Sequence, residues 1–341
     1  MQRHRRSSKL NCTIFDGLTE QSANPSSGEQ AVMVNRRLRF ECTCLLGIVL
    51  AGCGTANSPE NDLSGADSRR PVVVTTSYAL YSMASELAGD AIIVQYAVSD
   101  GLTSRTWVPS SADVQKLQAA DVVLLNGAGY ERWAQKLSLP RSRTVDTSSG
   151  YREQLLHFAD AVTHQHGPVG QQSDRDAIPT VWLDPELAAA QLHRVEEQLL
   201  RLAPDAADAI SQRATGFSNT FDKLDQQLQQ LAADSAGNAT TVVTDDTDLQ
   251  YLINRLGWKA HQIQWSEDGR LTEEFVRKVK STSPQLALFR TDGSGHRMEV
   301  LQATGVSCIA VDTCESALPD GDSLVGRMSA NLDRLRAGLG L

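Results

Sequence analysis

No stretch of this sequence concentrates basic charge. The chain carries 32 Lys and Arg against 41 Asp and Glu, a formal net charge of −9, and lacks the basic footprint of a nucleic-acid binder. No apolar run approaches the ~20 residues that a membrane-spanning helix requires. Several catalytic signatures are missing: there is no GxxxxGK(S/T) phosphate loop, no HExxH metal helix and no GxSxG nucleophile turn. Gly127-Ala128-Gly129 follows an apolar run, but the third glycine of a dinucleotide fingerprint would fall on Arg132. Carboxylates are plentiful, yet no pair stands out as an acid–base couple, so an enzyme is not supported. Cysteine is sparse. Of six, Cys12, Cys42, Cys44 and Cys53 lie near the start, leaving Cys308 and Cys314. Val306 to Val311 reads as a strand, and six extended residues hold two Cα atoms roughly 20 Å apart. That exceeds disulfide reach unless the chain turns back after Val311. What remains is a globular composition, 41% hydrophobic and 21% charged, with apolar mass for one large or two medium cores.

The first 32 residues are polar and without period. Met33 to Arg39 then supplies a basic segment, and Cys42 to Ala51 a short apolar one, the pattern of a secretory signal. It ends in Leu50-Ala51-Gly52-Cys53, which resembles the lipobox of bacterial lipoproteins. That resemblance implies cleavage before Cys53, a lipid on its thiol and an extracytoplasmic location. The expected organisation is a segment 1–32 that is disordered or precedes a true start at Met33, a signal peptide 33–52 and a lipidated tether 53–70. Seven of the 32 basic and four of the 41 acidic residues precede Cys53, leaving 25 and 37 and a net charge of −12. The Ser-, Asn-, Asp- and Gly-rich run before Arg70 suits a flexible tether. One lipidated cysteine anchors a protein to a membrane without spanning it.

From Pro71 onward apolar runs alternate with helical patterns. Strands are expected at 72–76, 91–98, 121–126 and 144–146, and helices at 78–87, 111–120, 130–137 and 184–202. The pattern restarts with strands at 240–244, 259–264, 286–289 and 306–311. Helices fall at 248–256, 272–280, up to about residue 303, and 323–339. Near-continuous apolar strands between helices predict parallel sheets covered on both faces. The fold class is α/β: two lobes, each with a roughly four-stranded, mostly parallel sheet flanked by helices. Boundaries are expected at 71–203 and 235–341. His157 to Ala177 breaks the rhythm and reads as an exposed loop.

Between the lobes, Ile210, Ala214, Phe217, Phe221, Leu224, Leu228 and Leu231 alternate in steps of four and three, one apolar stripe on a helix. Pro204 suits its start, and 232–237 reads as the run out into a loop. A helix over Asp205–Leu231, roughly 40 Å long at 1.5 Å per residue, is either a strut across 204–234 joining both lobes or a long surface helix of one domain.

The order of motifs resembles the solute-binding lipoproteins of bacterial zinc and manganese ABC transporters. The resemblance runs through Val74 to Tyr78, Gly101 to Pro109, Ser111 to Leu117 and Ala120 to Val123. It continues through Asn126 to Trp133, Val181-Trp182-Leu183-Asp184-Pro185, Tyr251 with Gly257, Gly321-Asp322-Ser323 and Met328 to Leu332. It implies two α/β lobes joined by one long helix, a monomer, capture of zinc or manganese between the lobes, and a membrane permease and ATPase as partners. A single continuous helix is stiff, so small rocking is expected on binding.

In that family four side chains hold the metal. The histidine of the Gly101–Pro109 loop corresponds to Arg105. The histidine two residues before the tryptophan of the VWLDP motif corresponds to Thr180. The histidine or glutamate five residues before the helix tyrosine corresponds to Asp246, and the last acidic ligand to Asp312. Both imidazoles of the first lobe are thus replaced. Arginine stays protonated and cannot coordinate a metal, although two carboxylates and a hydroxyl suit a hard cation. Three arrangements are open. Arg105 can pair with Asp246 or Asp312 and close the cleft, it can clamp an anionic solute, or the metal can bind elsewhere, for example at His164 and His166. Those two sit where zinc binders of the family carry a histidine-rich loop, and two solvated loop histidines are the plainer reading. His193, His261 and His296 fall at no ligand position and read as structural or surface residues.

Overall fold

The computed structural model describes residues 69–158, 177–236, 240–265, 272–291, 295–317 and 323–341. The expected signal peptide, lipidated Cys53 and tether, the His164–His166 pair, and Gly321-Asp322 lie outside these residues.

The first lobe holds β1 (Val72–Thr75), α1 (Tyr78–Ala88), β2 (Ile93–Tyr96), α2 (Ser111–Ala119), β3 (Val122–Leu125), β4 (Thr144–Asp146) and α3 (Pro185–Leu202). After α4 (Ala207–Ala236) come β5 (Thr241–Thr244), α5 (Gln250–Arg255), β6 (Lys259–Gln262), α6 (Glu273–Ser281), β7 (Leu286–Arg290), α7 (Gly295–Gln302), β8 (Cys308–Val311) and α8 (Leu324–Leu339). Each lobe has a four-stranded sheet, in the orders β2-β1-β3-β4 and β6-β5-β7-β8, and every strand pair is parallel. In both sheets the strand order reverses beside the first strand, at β1/β3 and at β5/β7. The crevice beyond the carboxyl ends of such strands is where ligands of open α/β sheets bind.

Side chains alternate across each sheet with the period of two that a strand imposes. Val73, Val122 and Leu124 face one core, and Val74 and Val123 join Leu117 of α2 and Trp107 on the other face. In the second lobe Val242, Leu286 and Leu288 face inward, while Val243, Ala287 and Phe289 pack with Val279 and Leu301 of α6 and α7. The inward faces of both sheets belong to one continuous apolar cluster built on α1, α3, α4 and α8.

The linking helix α4 runs through this shared core. Ile210, Ala214, Phe221, Leu224, Leu228 and Leu231 are buried, and Phe217 is half-buried. Pro204–Ala206 forms a 3-10 turn that leads into α4. The helix continues beyond Leu231 to Ala236, where a loop is expected from the sequence. Tertiary partners hold that last turn: the Ser235 hydroxyl accepts from Trp258 Nε1 at 3.0 Å, and Thr240 Oγ1 donates to the Ser235 carbonyl at 3.1 Å. Near the other end Arg213 Nε donates to the Leu87 carbonyl at 2.8 Å, capping α1. The last helix, α8, packs on α4 and on α1 of the first lobe.

Residues 130–137, expected as an α-helix, instead form a 3-10 helix at Arg132–Lys136. Three consecutive residues before it, Gly127, Ala128 and Gly129, have φ of 78°, 50° and 72°. Gly127 must be glycine, because an added Cβ would lie 1.9 Å from Asp146 Oδ1. Cys308 and Cys314 are free thiols. Among the described residues no helix is long and apolar enough to cross a membrane.

Because Phe221 lies in the shared core, Phe221→Ala is expected to lower stability by about 3–5 kcal/mol. Urea unfolding followed by circular dichroism measures this. A loss below about 1 kcal/mol, in the range of ordinary surface substitutions, would place α4 outside the core.

Candidate functional site

Arg105 stands on the turn after β2. Trp107 N donates to the Thr103 carbonyl at 2.8 Å and Thr106 N to the same carbonyl at 3.0 Å. The neighbours of Arg105 are anchors. Buried Ser104 accepts from Trp133 Nε1 at 3.2 Å, and Trp107 meets the Trp133 ring edge-on with centroids 5.1 Å apart. The backbone is therefore fixed, and the guanidinium reaches across to the second lobe with its carbon 5.8 Å from the Tyr130 ring centroid.

Arg105 Nη2 donates to Asp248 Oδ1 at 2.9 Å and to Glu315 Oε1 at 3.1 Å. A second arginine, Arg290 at the carboxyl end of β7, engages the same two acids. Its Nη1 lies 2.6 Å from Asp248 Oδ2 and its Nη2 lies 2.6 Å from Glu315 Oε2, while its Nε is 3.5 Å from Asp246 Oδ2. Asp248 and Glu315 side chains are each only 2% exposed, against 34% for Arg105 and 17% for Arg290. Each buried acid thus sits between a guanidinium of its own lobe and one from the other. Burial works against the Arg105 charge, but Glu315 and Asp248 outweigh it and raise its pKa. Burial, with the nearby Asp246 charge, pushes the Asp248 carboxyl up against the opposing pull of Arg105 and Arg290.

The other residues singled out from the sequence have different places. Thr180 is buried, and its Oγ1 donates to the Asp248 carbonyl at 2.6 Å, a bond between the lobes. Asp246 spends one oxygen as a cap, with Oδ1 accepting from Asp248 N at 2.7 Å, and turns the other toward Arg290. Asp312 faces α8: its carboxylate receives Arg327 Nε and Nη2, both at 2.7 Å, and the Cys314 amide at 2.8 Å. Burial raises the Asp312 carboxyl, and these bonds with the Arg327 and Arg334 charges lower it further than burial raises it. Arg105 is therefore paired with Asp248 and Glu315; of the three open arrangements, the pairing with Asp246 or Asp312 has its partners corrected. His193, His261 and His296 are exposed.

Three participants escaped the sequence reading: Asp248, Glu315 and Arg290. A signal existed for the last, since an arginine closing an apolar strand at the point where strand order reverses is costly unless paired. Further bonds tie the lobes around the cluster. Trp182 Nε1 donates to the Thr313 carbonyl at 2.8 Å, and Leu156 N to Tyr251 Oη at 3.0 Å. Among the described residues no group of three or more His, Cys, Asp and Glu is arranged to hold a metal ion.

Behind Arg105, Glu131 sets the loop that carries Tyr130. Its Oε1 accepts from Thr76 Oγ1 at 2.6 Å and Asn126 N at 2.9 Å, and its Oε2 from Gly127 N at 3.1 Å. Burial pushes this carboxyl from the ordinary 4.5 up to about 7, despite those donors. The folded protein therefore holds a proton that the unfolded chain releases. The contribution of Glu131 to stability is full below pH 4.5 and is lost as pH rises through about 7. Unfolding free energies measured over this range are expected to fall with rising pH more steeply in the wild type than in Glu131→Gln. Parallel profiles would contradict this.

The family model described as zinc-uptake complex component A, periplasmic, matches residues 73–338. The zinc-binding lipoprotein AdcA of Streptococcus pneumoniae (strain ATCC BAA-255 / R6) is 24% identical over 319 residues, covering 88% of this chain and 60% of AdcA. The metal ABC transporter substrate-binding lipoprotein FimA of Streptococcus parasanguinis is 24% identical over 308 residues, covering 86% of this chain and 95% of FimA. In three dimensions, the crystal structure of the Zn(II)-bound ZnuA-like domain of Streptococcus pneumoniae AdcA superposes with a TM-score of 0.66 at 20% identity, over 80% of this chain and all of that domain. The chain thus spans about three-fifths of the full length of AdcA.

Proposed function

This chain belongs to the family of periplasmic zinc-uptake component A proteins, and from that membership we propose an extracytoplasmic lipoprotein of a metal-type ABC transport system whose cleft is closed by its own side chains. The family consists of solute-binding components, not enzymes. The reading keeps the anchor at Cys53, the permease and ATPase as partners, and a monomer in solution. It departs from the family in cargo: the cleft does not take up zinc or manganese in the manner of its relatives, and the chain acts as an accessory of the same fold.

One observation carries this departure. Arg105 stands at the position of a family metal ligand and bridges two buried acids of the opposite lobe, at 2.9 and 3.1 Å. A permanently charged guanidinium in that place repels a divalent cation and already supplies the positive charge that closure requires. The donor set does not fit zinc either. No imidazole stands at the four family positions Arg105, Thr180, Asp246 and Asp312, whereas zinc favours nitrogen and sulfur ligands. Asp246 and Asp312 as metal ligands have the further obstacle that each is already engaged by backbone amides and arginines. An anionic solute clamped by Arg105 is the weaker alternative, because that guanidinium and Arg290 face three carboxylates, a surplus of negative charge.

Calorimetric titration of the protein with Zn²⁺ and Mn²⁺ tests the reading. No cleft binding tighter than about micromolar is expected. Tight one-to-one binding that Asp248→Asn abolishes overturns it, whereas binding abolished only by replacing His164 and His166 assigns the ion to the loop and leaves the cleft closed.

A further inference from the structure

The short helix α5 and the 3-10 turn that leads into it, Thr247–Leu249, follow β5 of the second lobe, yet they are bonded to the first lobe from end to end. At the cleft end, Asp248 receives Arg105 on its carboxylate at 2.9 Å and Thr180 Oγ1 on its carbonyl at 2.6 Å. In the middle, Tyr251 Oη accepts from Leu156 N at 3.0 Å. At the far end, Arg255 Nη1 lies 2.8 Å from Glu186 Oε2, on the first turn of α3, and its Nε donates to Asp225 Oδ1 of α4. One guanidinium thus joins the first lobe, the linking helix and the second lobe. Positions 248, 251 and 255 differ by three and four, the spacing that keeps side chains on one helix face. Leu249, Leu252 and Ile253 are meanwhile buried in the shared core.

We propose that α5 is a strap between the lobes, seated at the cleft by Arg105 and at the linking helix by Arg255, with Arg255 the positioning residue that holds its far end. The assignment rests on the closed-cleft reading and extends it from the mouth of the cleft to the linking helix. Seven residues separate Asp248 from Arg255, roughly 10 Å at 1.5 Å per residue, and the two arginines share no acid. The connection between them is α5 itself. The groups that receive Arg255 are fixed in turn. Glu186 N donates to Asp184 Oδ1 at 2.9 Å at the cap of α3, and Asp225 Oδ2 accepts from Gln229 Nε2 at 2.6 Å. The Asp225 pair is the firmer of the two. Arg255 and Asp225 side chains are 21% and 17% exposed, whereas Glu186 is 67% exposed and its contact is open to solvent screening. Closure of the cleft and docking on the linking helix are then one event, because a shift of α5 that frees Asp248 from Arg105 also pulls Arg255 from Asp225 and Glu186.

Hydrogen exchange of the Leu156 amide reads the strap at its midpoint, at a bond that involves neither arginine. Arg255→Gln is expected to speed this exchange about tenfold or more and to leave the amides of β1 and β5 little changed, since local opening and global unfolding expose different amides. Glu186→Gln, at an exposed side chain, is expected to move it in the same direction by a smaller factor, and serves where Arg255→Gln does not fold. Arg105→Gln is expected to speed it from the cleft end. The variant carrying both Arg105→Gln and Arg255→Gln is expected to exceed the product of the two single factors, because either end alone still seats α5. Leu156 exchange that neither Arg255→Gln nor Glu186→Gln changes overturns the assignment. Equal acceleration at Leu156, β1 and β5 does so too, as does a combined variant that shows only the product. Zinc that slows Leu156 exchange in the wild type contradicts the closed cleft instead, a result distinct from silence of Arg255→Gln.

Discussion

Asp248 and Glu315 are each gripped from two sides, by Arg290 of their own lobe and by Arg105 of the other, and the boundary between the lobes depends on that arrangement. Taking two carboxylates almost fully out of water costs several kcal/mol each. Burial and the neighbouring Asp246 charge hold the Asp248 carboxyl above its ordinary range against the pull of Arg105 and Arg290. Such a cluster adds little net stability compared with an apolar core, but removing one member costs about 3–5 kcal/mol, because a buried charge is left unpaired. The lobes meet where two guanidinium groups can both reach two acids, and neutral bonds such as Thr180 to the Asp248 carbonyl and Trp182 to the Thr313 carbonyl tighten the same register.

The frame that makes this possible is apolar. α4 threads a core shared by the inner faces of both sheets, and α8 returns from the second lobe to pack on α1. Both sheets pack on a common core, with the strand ends beyond β5 and β7 facing the loop beyond β2. Between them, Arg105 of the first lobe meets Asp248 and Glu315 of the second. Tyr130 and Glu131 complete the support on the first lobe. The carboxyl gathers two backbone amides of the loop at 126–127, which places the Tyr130 ring beneath Arg105.

Much of this is legible in the sequence. The stripe from Ile210 to Leu231 announced α4, and the apolar runs announced eight strands in parallel order, because period and length are local properties. The misses are tertiary. The last turn of α4 is held by Ser235 and Trp258, residues 23 apart in sequence. The 3-10 geometry after Tyr130 accompanies left-handed backbone at 127–129 and an inward-turned Glu131. The acids that pair with Arg105, Asp248 and Glu315, lie two and three residues from Asp246 and Asp312. Spacing from Tyr251 singles out Asp246, but Asp246 Oδ1 caps the turn and Asp248 is the acid that meets Arg105. Glu315 follows Cys314, whose φ of 55° reverses the chain where no glycine advertises it. Asp312 looked free in sequence only because Arg327 lies 15 residues away on α8.

Small-angle scattering of the protein, first with chelator and then with excess zinc, addresses the central claim most directly. If the lobes are held together by Arg105, Arg290, Asp248 and Glu315, the radius of gyration is the same in both conditions and equals that of a closed, two-lobed particle. A radius that grows on chelation and shrinks on adding zinc would mean that an ion, not an internal guanidinium, closes this cleft.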